Sequence, residues 1–289
     1  MSRVLSLLLA SATLACFYSC CTEAPPPQLK FSAIPDHDAT ALRAKYEPFA
    51  KYLTEKLDVD VEYVASTDYA ASVAMFINDE VQFAWFGGLT GVQAREKVPG
   101  AQAVAMGKKD AEFQSYFIVP KDSAIKTGTE FPKDAAGKKF TFGSESSTSG
   151  RLMPEYFIRD ATGKPPEEFF SQVNFSGSHD KTIDLVTKGV WEIGAVNFIT
   201  YDKQVASGEL KKEDCPIIWT TPKYADYQFT VRPQLDQRFG EGFTTKLTKA
   251  LIEMSPEMAA GFARETMIPA NNADFADILA VAKQLGMTR

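Results

Sequence analysis

From Leu29 onward, short apolar runs alternate with longer stretches of helical periodicity, which restricts the chain to a mainly parallel α/β architecture. "LKFSAI" reads as a first strand, and "ATALRAKYEPFAKYLTEKL" as an amphipathic helix with Leu42, Tyr46, Phe49, Leu53 and Leu57 inward. "VDVEYV" alternates as a second strand, "YAASVAMFIND" is helical, and "VQFAWF" is a buried strand ending at Gly87-Gly88. "QSYFIV" and "YQFTVR" are apolar strands expected to cross between two lobes. Between them lie "KKFTFG", a helix after Gly150, another near "TIDLVTKG", then "IGAVNF" and "PIIWTT". The tail from Phe243 to Met287 reads as wholly helical, with Met254, Met258, Leu279 and Leu285 in its core. A faint echo links "VQFAWFGGLTGVQ" to "WEIGAVNFITYDKQ", each an apolar strand and a turn before a helix. At 289 residues the chain can form two such lobes, which would hold a ligand in the cleft where strand ends and helix N-termini meet.

The N-terminal segment does not belong to this pattern. "MSRVLSLLLASATLACFYSCCTEAPPP" has Arg3, an apolar stretch from Val4 to Tyr18, and then cysteines. The stretch is too short and too rich in serine and alanine for a good membrane span, and resembles a bacterial lipoprotein signal. Cleavage is expected before Cys20, which follows the small Ser19, with Cys21 and Cys16 as alternatives. The expected organisation is a signal peptide over 1–20, a proline-rich tether over 21–28, one lobe from 29–115 plus 227–289, and a second from 116–226. Beyond the N-terminal segment only Cys215 remains, so neither a disulfide framework nor a cysteine metal site is expected.

"FTFGSESSTSGRLMPEYF" holds four consecutive hydroxyl residues, Ser146, Ser147, Thr148 and Ser149, followed by Gly150. Phe140 and Phe142 close a buried strand, while Leu152, Met153, Tyr156 and Phe157 recur at helical spacing. The hydroxyls therefore sit at a helix N-terminus, where backbone N–H groups lack partners and the macrodipole is positive. One hydroxyl there is an ordinary cap. Four in a row, beside a glycine that leaves the backbone open, equally describe a small-anion site.

The net charge of −6 argues against nucleic-acid or anionic-membrane partners, though local donors can still bind an anion. Only His37 and His179 are present, and HExxH, GxGxxG and GxxxxGK[ST] are absent. "SHDK" at Ser178–Lys181 matches S-x-x-K, but "KTG" at Lys126–Gly128 precedes it and S-D-N is missing, against serine acyl transfer. His179 opens a helical pattern, where Ser178 could be a simple cap or His179 a ligand donor, or a cation if a bound anion raises its pKa. Tyr69 opens another helix, as a rim aromatic or a hydroxyl donor. Trp85 and Phe86 read as core, and Gly87-Gly88 as a point of close approach. His37 reads as a solvated loop residue, and Tyr224, Asp226 and Tyr227 as hinge residues, with Tyr227 turned toward the cleft.

"IPD", "TDYAASV", "WFGG", "SSTSGRLMP", "SGSHDKTIDLV", "GAVNFITYD" and "WTTPKYADY" together resemble the solute-binding proteins of phosphonate/phosphite-type ABC transporters, including members named for selenate. The resemblance spans about Leu29 to Met287 and rests on the joint order of the motifs. It implies a type II periplasmic-binding fold in which Ser147, Thr148 and Ser149 hold a ligand's oxygens, joined by Tyr69 and His179, with Asn197, Trp85, Phe86 and Tyr227 around the cleft. Asn197 stands where aminophosphonate binders resemble "GAVD", and Phe86 where some members have tyrosine. Losing the carboxylate removes a partner for an amine, so a compact oxyanion is expected: phosphite, a small alkylphosphonate, phosphate or selenate. A site of donors alone suits a dianion, whereas an acceptor within it would favour a ligand carrying P–OH. The implied protein is a monomeric, lipid-anchored binder in the periplasm or at the cell surface. It needs no cofactor and delivers its oxyanion to an ABC permease. A sensor-kinase subunit and a hydrolase acting on such anions are the alternatives.

Overall fold

The computed structural model describes residues 27–288. The signal peptide, Cys16, Cys20, Cys21 and most of the tether lie outside the described residues. Two mixed sheets organise the rest. The first has six strands in the order β11-β4-β10-β3-β1-β2, formed by β1 (Leu29–Ala33), β2 (Val61–Tyr63), β3 (Phe83–Phe86), β4 (Gln102–Gly107), β10 (Gln228–Val231) and β11 (Met267–Pro269). The second has five in the order β7-β6-β8-β5-β9, formed by β5 (Ser115–Ile118), β6 (Lys139–Phe142), β7 (Gln172–Phe175), β8 (Ile193–Asn197) and β9 (Ile217–Thr220).

Parallel pairing of β1 with β2 and β3 follows from the intervening helices α1 (Ala39–Leu57) and α2 (Tyr69–Ile77), the crossover that a parallel pair requires. α1 buries Leu42, Tyr46, Phe49, Leu53 and Leu57, the stripe its sequence period marks out. Its first N–H groups are capped by Asp38, whose carboxylate accepts from Thr40 at 2.9 Å and Ala41 at 3.0 Å. Phe31 of β1 stacks on Phe83 at 4.9 Å and meets Phe49 edge-on at 5.3 Å, so strand and helix share an aromatic core.

Two expectations are corrected here. The strands expected to cross each lie within one sheet, β5 in the second and β10 in the first. The crossing is made by the segments around 108–114 and 221–227, joined by the antiparallel bridge of Phe113 with Tyr224. The tail is also not wholly helical: Met267–Pro269 pairs antiparallel with β4 at the sheet edge. Edge position explains both its shortness and its tolerance of Pro269, since an edge strand can lose a donor. Met254 is buried in the first core, and Met258, Leu279 and Leu285 pack partly buried against it.

Candidate functional site

The serine-rich stretch leaves β6, forms a single π-type turn over Thr148–Leu152, and continues as α4 (Met153–Thr162). Ser147 is the cap, its Oγ accepting from the Gly150 N–H at 2.9 Å. The Gly143 N–H also donates to Gly150 O at 2.8 Å, tying the turn to the end of β6. A β-carbon on Gly150 would lie 3.0 Å from His179 Cε1 and 3.0 Å from Ser147 Oγ. Glycine therefore lets the backbone of the turn close on the imidazole.

Tyr69, Ser147, Thr148, Ser149, His179 and Asp226 are each at most 2 % exposed. Tyr69 is the first residue of α2, a helix capped by Asp68, which accepts from Ala71 N–H at 2.7 Å. Its hydroxyl is buried without a partner, and burial raises its pKa well above 10, so it stays protonated as a donor. His179 opens the His179–Thr187 helix, with Ser178 in the cap position but making no side-chain cap bond. Its Nδ1 accepts the Asn197 backbone N–H at 3.3 Å. The neutral ring must then carry its proton on Nε2, which is buried and unpartnered. Burial brings the imidazole down to about 4, so in this closed form it is a neutral donor at physiological pH.

Asp226 is the component whose role the sequence reading missed, because "YADYQF" reads as a hinge. Its Oδ1 accepts the Gly88 N–H at 2.8 Å, while Oδ2 is buried without a hydrogen bond. Burial raises this carboxyl to about 7, against the stabilising effect of the Gly88 N–H and the nearby Thr148 and Ser149 hydroxyls. The glycine pair allows this: a β-carbon on Gly87 would lie 3.1 Å from Thr148 Oγ1 and 3.2 Å from Asp226 Oδ1. Thr148 Oγ1 in turn accepts the Leu89 N–H at 2.9 Å, so the hydroxyl turn of one lobe docks on a helix start, α3 (Gly88–Lys97), of the other. The clamp thus brings together donors from both lobes and an unpartnered acceptor.

The remaining residues expected at the ligand, Asn197, Trp85, Phe86 and Tyr227, are also buried. Asn197 spends its amide internally: Oδ1 caps the Phe198–Ser207 helix by accepting Thr200 N–H at 2.6 Å, and Nδ2 donates to Tyr227 Oη at 3.2 Å. Each polar atom of that side chain thus has one internal partner, and its backbone N–H orients His179. Trp85 stacks on Tyr227 at 5.6 Å, and both line an adjoining cavity of about 90 Å³ with Asn197. Phe86 is fully buried and edge-on to Phe76 of α2, a packing residue with nothing to offer an oxyanion but apolar wall. His37 lines the adjoining cavity as well.

Residues 31–275 match the family described as "ABC transporter, phosphonate, periplasmic substrate-binding protein". The "Probable ABC transporter phosphite binding protein PhnD1" of Prochlorococcus marinus is 36% identical over 249 residues, 86% of this chain and 84% of that protein. The chain belongs to this family. The solved structure of PhnD1 from Prochlorococcus marinus in complex with methylphosphonate superposes with a TM-score of 0.86 at 34% identity, covering 90% of this chain and 98% of that one. The "Phosphate-import protein PhnD" of Mycolicibacterium smegmatis is 28% identical, over 78% of this chain and 76% of that protein. As a family member the protein is an extracytoplasmic substrate-binding component of an ABC transporter, with the two-lobed α/β fold of periplasmic binding proteins.

Proposed function

We propose that the protein captures a small tetrahedral oxyanion of the phosphite and methylphosphonate class, carrying one proton in the bound state, and passes it to a permease. The observation that carries this is the set of buried, unpartnered polar atoms beside the Ser147–Ser149 turn: Tyr69 Oη, His179 Nε2 and Asp226 Oδ2. Buried polar atoms are nearly always paired, so three orphans beside one helix start mark a missing partner. Two are donors and one is an acceptor, which matches an anion with one remaining O–H. The ligands named for PhnD1 of Prochlorococcus marinus support the same class.

Calorimetric titration against phosphite, methylphosphonate, 2-aminoethylphosphonate, phosphate, selenate and sulfate tests the reading. One phosphorus oxyanion is expected to bind at micromolar affinity or tighter, with Ser147→Ala/Ser149→Ala weakening it by about a hundredfold, two lost charge-assisted bonds. Preference for 2-aminoethylphosphonate would instead require a carboxylate to receive its amine. Equal binding by the double variant would return the turn to a plain cap.

Proton balance gives a further expectation. The complex holds one proton between Asp226 and the ligand, and burial in the closed form raises the carboxyl to about 7. Once the pH exceeds both that value and the ligand's own, binding must take up a proton, and affinity falls about tenfold per pH unit. Titrations from pH 6 to 9 in buffers of different ionisation enthalpy measure this uptake. A flat profile would mean that no proton is shared.

Binding rather than catalysis is supported by His179, whose Nδ1 lone pair is taken by the Asn197 N–H, leaving no imidazole base in the site. A turnover assay on phosphonate and phosphate esters checks it. A monomeric state is supported by the surface, on which Val190 is the one large hydrophobic exposed among the described residues. Lipid anchoring rests on the sequence. Cys20→Ser is expected to move the protein from membranes to the soluble fraction and Cys21→Ser to leave it in place. The reverse would assign the anchor to Cys21.

A further inference from the structure

The protein as a whole repels its proposed ligand, since the net charge is −6. The clamp is sealed in the closed form, so an anion reaches it only while the lobes stand apart. The cavity that abuts it marks where they meet. One wall comes from the first lobe, with Asp36, Lys45, Trp85 and Arg264, and the other from the second, with Asn197 and Lys203. Arg264 is neutralised by Asp110 in a bidentate pair. Lys45 and Lys203 are not: neither makes a salt bridge among the described residues.

Lys45 rises from α1 to rest its ammonium 4.7 Å from the Tyr46 ring centroid and 4.8 Å from that of Phe262. It is thereby held at the cavity instead of trailing into solvent. Burial brings its pKa down to about 8, with Asp36 opposing and Arg264 and Lys203 adding to the fall, so it remains charged at neutral pH and lies within the field of Lys203. Asp36, buried in the same cavity, is a carboxylate whose charge it feels. Two like charges thus meet from opposite lobes at the mouth of an anion site, and neither is neutralised by an ion pair at contact distance among the described residues.

We propose that Lys45 and Lys203 form an encounter site for the anion, drawing it into the open cleft before the lobes close and surrendering it to the clamp. The pair acts on the approach and leaves the bound state to Ser147–Ser149, Tyr69, His179 and Asp226. Charges at the rim of a low-dielectric cleft focus the field and raise association rates, an effect that salt screens within about 10 Å at 0.1 M. This inference rests on the clamp being an oxyanion site, and the experiment separates the two.

Stopped-flow fluorescence of the full chain follows binding of methylphosphonate or phosphite, with Trp85 at the cleft as reporter. Lys45→Met/Lys203→Met is compared with Lys121→Met/Lys133→Met, which removes the same charge from exposed positions in the second lobe. The cleft variant is expected to lose about fivefold to tenfold in kon at low ionic strength, the difference vanishing near 0.5 M salt, with koff within twofold of the parent. The remote variant is expected to keep the parent's kon. An unchanged kon in the cleft variant overturns the proposal. A loss carried by koff overturns it too, and would make the lysines direct ligand contacts. A slower koff with tighter binding would overturn it in favour of simple repulsion between closed lobes. If the parent chain binds none of the oxyanions, the clamp reading itself falls, and this inference with it.

Discussion

Asp226→Asn is expected to weaken methylphosphonate and phosphite binding by on the order of a hundredfold at neutral pH while strengthening selenate and sulfate relative to them. Oδ1 is already engaged by Gly88 N–H, so the asparagine would keep its carbonyl there and turn its NH₂ into the cavity. The unpartnered acceptor oxygen of this residue becomes a donor, and a P–OH then meets an N–H. Losing a charge-assisted bond and leaving the O–H unpaired together come to about 3 kcal/mol, close to two powers of ten in affinity. Selenate and sulfate carry no proton at neutral pH and escape that clash. The pH dependence should flatten in the variant, since the shared proton is gone. Calorimetry of both proteins against the same ligands decides it, and an unchanged ligand ranking would show that Asp226 does not read the proton.

Arg264→Met is expected to produce the largest loss of stability, about 3–5 kcal/mol, by stranding the Asp110 carboxylate in the interior. Asp110 is fully buried, and the guanidinium grips it from both sides, Nε to Oδ2 at 2.7 Å and Nη2 to Oδ1 at 2.5 Å. The same carboxylate accepts Gly107 N–H at 2.9 Å, and the Asp110 carbonyl accepts Asp226 N–H at 2.9 Å. The pair therefore ties one interlobe segment to the other next to the clamp. Arg264 also lies against the Tyr227, Trp85 and Phe113 rings at 5.2, 5.7 and 5.9 Å, contacts that methionine partly replaces. Asp110→Leu/Arg264→Met should recover most of the loss, short of about 1 kcal/mol for the Gly107 N–H left unpaired. Urea denaturation of the three chains measures this, and a single variant within 1 kcal/mol of the parent would show the carboxylate to be solvated after all.

The α1 helix was legible because its apolar residues repeat at helical spacing over many turns, and it spans Ala39–Leu57 as read. The echo between "VQFAWFGGLTGVQ" and "WEIGAVNFITYDKQ" also has a structural counterpart: β3 leads into α3 through Gly87, and β8 into the Phe198–Ser207 helix through Asn197. β11 was missed because three residues ending in proline carry no period of their own, and only the free edge of β4 makes them a strand.

At the site, local chemistry and long-range geometry divide the labour. The sequence by itself determined the α/β alternation, the hydroxyl turn at a helix start, and tyrosine and histidine at the first positions of two other helices. Each follows from neighbours a few residues away. Only the tertiary structure decided which side chains face the cavity. The Asn197 amide caps a helix and bonds Tyr227, a partner 30 positions distant that sequence spacing does not reveal. Asp226 lies in an interlobe segment, as a hinge reading expects, while Gly88, 138 positions away, holds one of its oxygens and leaves the other unpartnered. Hydrogen-bond saturation and desolvation are properties of the assembled environment, so a residue's freedom to bind, and its proton, are set by contacts that sequence spacing does not encode.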